Sequence, residues 1–365
     1  MANTKIPPEL VDDQVFGRRN LIINGDMRVA QRGTSATTLS TNPDTFSADR
    51  FRMEQGSVTA NNGTIEVATD APSGTGFTKS FKVTGGSSVS YNSTGFAAIN
   101  YRGEGADFNQ VLHGTSSAKT VTISFWVKSS VTGTYSLNHT KYDGSTERFN
   151  VSEYTISQAN TWEYKKVNVA GDTSVSASDW IRLYWQLGGH SGHKTATGGT
   201  WINGDGTKRA TSSQPDMITT NGATFFLTGV QFEIGDQATP FEHRSIGEEL
   251  ALCQRYYLEL TSDRQVNPIM NCGYYYNTSI YGAIIFPTEM RTEPTLVQTT
   301  GTDYFRIYST GAADTITGFN SIHSVTPQRV VIAAVSAQGV SGTQSAAGWC
   351  ETMNTAARLS FTAEL

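Results

Sequence analysis

The 365-residue chain is poor in charge. Asp, Glu, Lys and Arg make up 16% of it, against roughly 25% in an average globular domain. Its 27 basic and 32 acidic residues leave a net charge of −5, and no basic tract appears. Nucleic acid is thereby disfavoured as a partner, because phosphate binding needs clustered Lys and Arg. Cysteine is scarce too. Cys253, Cys272 and Cys350 form no CxxC pair and are odd in number, which argues against a disulfide scaffold and for folding in a reducing compartment. No apolar run approaches the ~18 residues needed to span a bilayer, so no membrane insertion is expected. The opening stretch MANTKIPPELVDDQVFGRRN lacks the apolar core of a secretory signal, which points to synthesis of a soluble protein in a cytoplasm. GxSxG, HExxH, the P-loop and the dinucleotide fingerprint are all missing. No regular repeat marks a long β-helix.

What is present is glycine, 35 residues of it, with Ser, Thr and Asn between apolar pairs. Such a composition suits many short strands joined by tight turns. After Asn20, NLIINGDMRVAQRG reads as an apolar run, an Asn24-Gly25 turn and a polar run. KTVTISFWVKS alternates, with Val121, Ile123, Phe125 and Val127 on one face and Thr122, Ser124, Trp126 and Lys128 on the other. TIEVAT, FTKSFKVTG, TYSLNHTKY, TWEYKKVNVA, DWIRLYWQLGG and ATFFLTGVQFEIG continue the series, each bounded by Gly, Asn or Asp. This spacing predicts a β-sandwich or jelly roll.

One stretch, FEHRSIGEELALCQRYY, reads as a helix. Ser245 and Glu248 have capping-box spacing. Ile246, Leu250, Cys253 and Tyr257 repeat as one apolar stripe, widened by Leu252 and Tyr256. Strands resume in GYYYNTSIYGAIIFP, YFRIYSTG, RVVIAAVS and RLSFTAEL. The expected fold class is all-β: a leader over 1–19, a jelly-roll β-sandwich over 20–243, a short amphipathic linker helix over 244–258, and a smaller C-terminal β domain over 259–365. The helix stripe is the expected oligomer or interdomain contact, and Cys253 within it a small buried hydrophobe.

Several stretches, in order, resemble tail-fibre and other host-attachment proteins of tailed bacteriophages, particularly marine ones. They are TKIPPEL, RNLIINGDMRVAQRGTS, FSADRF, LTGVQFEIGDQATPFEHRSIGEELALCQRYY, FPTEMRTEPTL and the terminal SFTAEL. They cover about a quarter of the residues across both expected domains. The resemblance implies a virion structural protein with a jelly roll similar to carbohydrate-binding modules, and homotrimeric assembly. It implies attachment to other virion proteins through the leader, and contact with a host-surface glycan or outer-membrane receptor. Alternatives are a capsid decoration or head-fibre protein, and a polysaccharide-degrading tail spike.

No enzyme is expected, since no catalytic set is visible; a glycosidase would need two carboxyls facing across a groove, which linear spacing does not encode. Sugar rings stack on aromatics, with polar groups beside them. The candidate glycan-binding residues are Trp126, Trp162 and Tyr164, which sit with Lys166 on outward strand faces; Trp180, Arg182 and Tyr184, opposite the apolar Ile181, Leu183, Trp185 and Leu187; and Tyr274, Tyr275 and Tyr276, of which at least one must point away from the core. The competing fate of these aromatics is core or subunit interface. No cofactor is required. A structural calcium is the metal considered, near Asp26 and Glu233, since jelly-roll sugar-binding modules, which the chain resembles, often carry one near the start of the fold; hard cations need more oxygen ligands than these two. His190 and His193, three apart in GGHSGHK, read as a polar loop rather than half a metal site.

Overall fold

The computed structural model describes residues 18–41, 44–261 and 266–365. Most of the expected leader therefore lies outside the described residues. The chain divides into two units, the first closing at Arg244 and the second running Ser245–Leu365. Both are built on β-sheets, and no helix among the described residues is long and apolar enough to cross a membrane.

The strands of the first unit are β1 (Thr37–Thr38), β2 (Asp44–Phe46), β3 (Phe51–Asn61), β4 (Thr64–Ala68), β5 (Ser80–Thr84), β6 (Val89–Glu104), β7 (Val121–Ser129), β8 (Gly133–Tyr142), β9 (Glu147–Ile156), β10 (Glu163–Val169), β11 (Trp180–Gly189), β12 (Trp201–Asn203) and β13 (Thr224–Ile234). They form a six-stranded sheet, β1-β4-β5-β13-β7-β10, and a seven-stranded sheet, β12-β9-β8-β11-β6-β3-β2. All pairings are antiparallel, and the consecutive strands β5 and β6, β6 and β7, and β7 and β8 each lie in different sheets. This is a jelly-roll sandwich. The alternation read from the sequence sets its core: Val121, Ile123, Phe125 and Val127 of β7 meet Ile181, Leu183, Trp185 and Leu187 of β11. Fully buried Trp185 joins the layers, 5.7 Å from Phe125 and 6.3 Å from Phe51 between ring centroids.

At one end the interior turns polar. Lys141 and Asp172, both buried, pair at 3.0 Å, and Arg148 donates to the same carboxylate at 2.6 Å. Burial pushes the Asp172 carboxyl up, but backbone and Lys141 hydrogen bonds outweigh it and hold it low. His139 is enclosed by the rings of Trp201, Phe232 and His113 at centroid distances of 5.0, 5.4 and 5.8 Å.

The stretch expected as a first strand, NLIING, is buried but makes no ladder. It is held by side chains instead. Asn20 Oδ1 accepts from the amides of Ile22 and Phe232, at 3.0 and 3.1 Å. Asn24, at φ 59°, takes the expected turn and donates to the carbonyls of Val29 and Asp49, both at 2.8 Å. Asp49 accepts from the Gln31 amide at 3.0 Å. Arg244 closes the unit by donating to the carbonyls of Ile22, at 2.9 Å, and Asn20. Glu242 accepts from the Asn20 amide at 2.7 Å. Gly25 must be glycine, because a Cβ would run into the Val230 carbonyl. Three of the stretches that carry the phage resemblance, RNLIING, FSADRF and the PFEHR segment, thus meet in one buried polar knot that satisfies irregular backbone.

The second unit contains α1 (Ile246–Gln254), then β14 (Tyr257–Glu259), β15 (Pro268–Tyr276), β16 (Ser279–Ile285), β17 (Thr295–Gln298), β18 (Phe305–Ser309), β19 (Ala312–Ile316), β20 (Ser321–Thr326), β21 (Arg329–Val335), β22 (Ala347–Thr352) and β23 (Leu359–Thr362). A seven-stranded sheet, β19-β18-β22-β15-β16-β21-β20, and a three-stranded one, β14-β23-β17, share a core that includes Ile280, Ile332, Phe305 and Phe361. Ser245 Oγ caps α1 by accepting from the Glu248 amide at 3.2 Å. The helix is shorter than the expected 244–258 and belongs to the second unit. It stops at Gln254, so Tyr257 does not extend the stripe but opens β14, which pairs with the C-terminal β23. Glu249, Cys253, Tyr256 and Tyr257 are buried, Leu250 is half-buried, and Ile246, meant to head the stripe, is 54% exposed. A nine-residue helix holds too few turns for the stripe to run on to residue 257.

Candidate functional site

The nine aromatic and arginine candidates fall in three separate places. Trp126, Trp162 and Tyr164 lie on the outer face of the six-stranded sheet, where Trp126 and Tyr164 are cross-strand neighbours. Trp162 donates through Nε1 to Asp70 at 3.0 Å and lies against Phe226, so it is engaged.

Trp180, Arg182 and Tyr184 lie on the outer face of the seven-stranded sheet, and there the expected open platform is corrected. Tyr142 stacks on Trp180 at 5.0 Å, and the Arg182 guanidinium covers the same ring at 3.7 Å. Tyr184 is fully buried; it accepts from Arg182 at 3.1 Å and donates to Glu54 at 3.1 Å, while Arg209 lies 5.4 Å from its ring. Glu54 also faces Arg52 at 3.2 Å and Arg102 at 3.7 Å. Burial and the neighbouring Arg52 and Arg182 pull Arg102 down to about 10, and burial raises the carboxyls of Asp44 and Glu147. These aromatics serve a charge network rather than an empty stacking surface.

The most open aromatic surface is in the second unit. On β15, Met270, Cys272 and Tyr274 turn inward and Asn271, Gly273 and Tyr275 outward. Tyr274 is buried and donates to Asp314 at 3.0 Å; burial and that carboxylate raise its phenol. It is therefore a core residue, not a contact one. The ladder slips between Tyr274 and Tyr276. That bulge breaks the two-residue alternation, so Tyr275 and Tyr276 are both exposed, at 62% and 54%. Their rings meet edge to face at 4.6 Å, and Tyr281 of β16 stands 5.6 Å from Tyr275. With Gln344 and Ser345 they line a depression of about 680 Å³. Farther along the same face, Trp349 pairs with Asn271, is 48% exposed, and lies 5.1 Å from Tyr308. Pro268, Met270, Asn271 and Trp349 border a second depression of about 370 Å³. From Asn271 to Tyr275 the strand advances roughly 14 Å. Asn, Gln, Ser and ring edges line these hollows, and the Arg306–Glu351 ion pair beside Tyr308 is self-neutralised. Trp349, Tyr281 and Tyr308 escaped sequence reading: Trp349 and Tyr308 pair through a ladder between strands 41 residues apart.

Asp26 and Glu233 do not share a cage. Arg28 pairs with Asp26, while Glu233 accepts from the Thr239 amide and hydroxyl at 2.9 and 2.6 Å and from Gln231 at 3.0 Å. Among the described residues, no group of three or more His, Cys, Asp or Glu is arranged to hold a metal. His190 caps its own turn, accepting from Gly192 at 3.1 Å, and His193 is buried against Phe96. All three cysteines are buried, and none forms a disulfide; burial pushes the Cys272 thiol up to about 11.

No family model and no curated protein matches the chain. Among solved structures it is similar to the enzymatically active domain of tailspike protein 4 of bacteriophage CBA120, at 11% identity and a TM-score of 0.31, over 59% of this chain; it spans only 21% of that one. The second xylan-binding CBM22 domain of Paenibacillus barcinonensis Xyn10C is 14% identical, with a TM-score of 0.30, over 55% of this chain and 99% of that domain. The CBM22-1–GH10 modules of Clostridium thermocellum xylanase 10B, solved with xylohexaose, give 12% identity and a TM-score of 0.30 over 60% and 29%. Likenesses this distant assign neither family nor ligand to the chain.

Proposed function

We propose that the chain is a non-catalytic virion protein of a tailed bacteriophage, a tail-fibre subunit that attaches the particle to a host-surface glycan. The observation that carries the glycan reading is the aromatic face of the second unit. Tyr275, Tyr276, Tyr281 and Trp349 present rings on one side of one sheet, flanked by the neutral hydrogen-bonding groups of Asn271, Gln344 and Ser345. Ring C–H groups pack on Tyr and Trp, and hydroxyls exchange water for amide and hydroxyl partners. Two depressions along β15 fit an oligosaccharide longer than one ring. The virion assignment is supported by the ordered sequence resemblance, which runs through both units. A homotrimer follows from the same resemblance; multivalent display raises weak glycan contacts to useful avidity.

The test is a glycan array probed with the full chain, followed by titration of the best hit against Tyr275→Ala and Trp349→Ala. Each truncation is expected to weaken binding about tenfold, the value of one lost aromatic contact. Unchanged affinity in both variants would remove the second unit from recognition. Release of reducing ends from host polysaccharide would replace binding by a degrading tail spike. Antibody labelling of intact particles on the head rather than the tail would select the decoration protein.

A further inference from the structure

A second concave aromatic site lies in the first unit, on other residues. Strand β13 bulges between Thr228 and Gln231, and Gly229 at its centre has φ 61°. The bulge opens a groove of about 690 Å³ on the outer side of the six-stranded sheet. Its walls are rings: Trp126 and Tyr164 from neighbouring strands, 5.5 Å apart and tilted 51°, and Phe77, Phe241 and His243, within 4.9–5.4 Å of one another. Gly229 is the floor. A Cβ there would lie 2.7 Å from Phe77 and 3.1 Å from Trp126. The segment after β13 supplies the far wall and is tied down, since Glu233 accepts from the Thr239 amide at 2.9 Å. Tyr164 is 43% exposed, so the groove is open to solvent.

The charge at the rim selects among occupants. Lys166 of β10 stands opposite Ser124 of β7, which lines the groove, and is exposed. Cross-strand neighbours share a face with Cβ atoms about 5 Å apart, so the ammonium lies within reach of a bound ring. Glu233, beneath Thr239, is buried and faces Arg19 at 4.0 Å, so it does not oppose an anion. The geometry points to a site for one pyranose ring bearing a carboxylate, a uronic-acid unit of an acidic glycan, packed in the mouth of the groove against the Trp126–Tyr164 pair, above the floor where Phe77 and Trp126 converge. Lys166 faces its carboxylate. A quaternary ammonium, the other usual guest of an aromatic cage, is disfavoured by the same lysine.

This extends the glycan reading but rests on different residues, so the two fail separately. Saturation-transfer NMR on the full chain, with glucuronate and glucose as probes, tests it. Glucuronate is expected to bind about three- to fivefold more tightly than glucose, the scale of one exposed charge contact. Trp126→Ala should weaken both about tenfold. Lys166→Met should equalise them, and as a surface change it leaves the fold intact. Tyr275→Ala should change nothing here. No transfer to either sugar, equal affinities in the wild type, or a glucuronate preference that survives Lys166→Met would overturn the assignment.

Discussion

Acid should loosen the first unit through three buried histidines. His113, His139 and His193 are all under a tenth exposed. Burial, with Lys141 beside it, lowers His113 to about 4; burial, with Arg209 beside it, lowers His193 to about 4; burial and His113 hold His139 well below its usual range. In the unfolded chain each returns to roughly 6.5. Between about pH 6.5 and pH 4 the unfolded state therefore binds protons that the folded state refuses, so stability falls as pH falls. For His113 and His193 the slope is roughly 1.4 kcal/mol per pH unit, or about 2 kcal/mol apiece by about pH 5, and His139 acts in the same direction. The raised carboxyls of Asp44, Glu147 and Asp216 act oppositely, since they favour the protonated form. A variant isolates the histidine contribution. His139 is caged by rings, so His139→Phe keeps shape within about a methylene and should cost about 1.5 kcal/mol or less near neutrality. Urea unfolding followed by tryptophan fluorescence, between about pH 7.5 and pH 5, should show the wild type losing stability faster than the variant as pH falls. Parallel pH profiles for the two proteins would refute the reasoning, because they would mean His139 titrates normally in the fold.

Three further expectations can be checked directly. Arg244→Met removes two buried charge-assisted hydrogen bonds and should cost about 3 kcal/mol, read as a lowered urea midpoint of the first unit. Gly25→Ala forces a methyl onto the Val230 carbonyl and should cost about 2 kcal/mol or more, again by urea titration; wild-type stability would show that the turn relaxes freely. Ile246→Asp alters an exposed apolar side chain, so it should leave melting unchanged; in the proposed trimer it should lower the mass seen by light scattering, and an unaltered mass would take Ile246 out of the assembly contact.

The strands that were legible are those with one dry face. Val121 to Val127 and Ile181 to Leu187 alternate because a sandwich interior accepts every second side chain. Strand β6 escaped, although it is the longest at 16 residues, because its first half is polar and Gly95 interrupts it. Exposure was less legible than direction. Tyr184 does alternate outward, but Arg209 and Glu54, distant in sequence, cover it. Tyr275 and Tyr276 are both outward only because the ladder slips beside them. The groove at Gly229 was invisible for a related reason. Phe77 heads a stretch read as strand, and Phe241 and His243 open the stretch read as helix, yet all three sit in connecting segments, and only Trp126 and Tyr164 lie on strands. The helix stripe was misread past Gln254 because the apolar spacing continues into a strand, where period no longer means a common face.

The polar knot at Asn20, Asn24 and Arg244 has a mechanical meaning. Chain enters the sandwich near Arg19 and leaves at Arg244, and both points are fastened to each other: the Arg19 and Asn20 amides donate to Glu242, and Arg244 grips the carbonyls of Asn20 and Ile22. Tension applied between these two points is carried across the knot. The long antiparallel ladders lie outside that line of force and need not shear. In the attachment role proposed above, the sandwich and any ring-lined groove on it would therefore stay in register while the strain passes beside it.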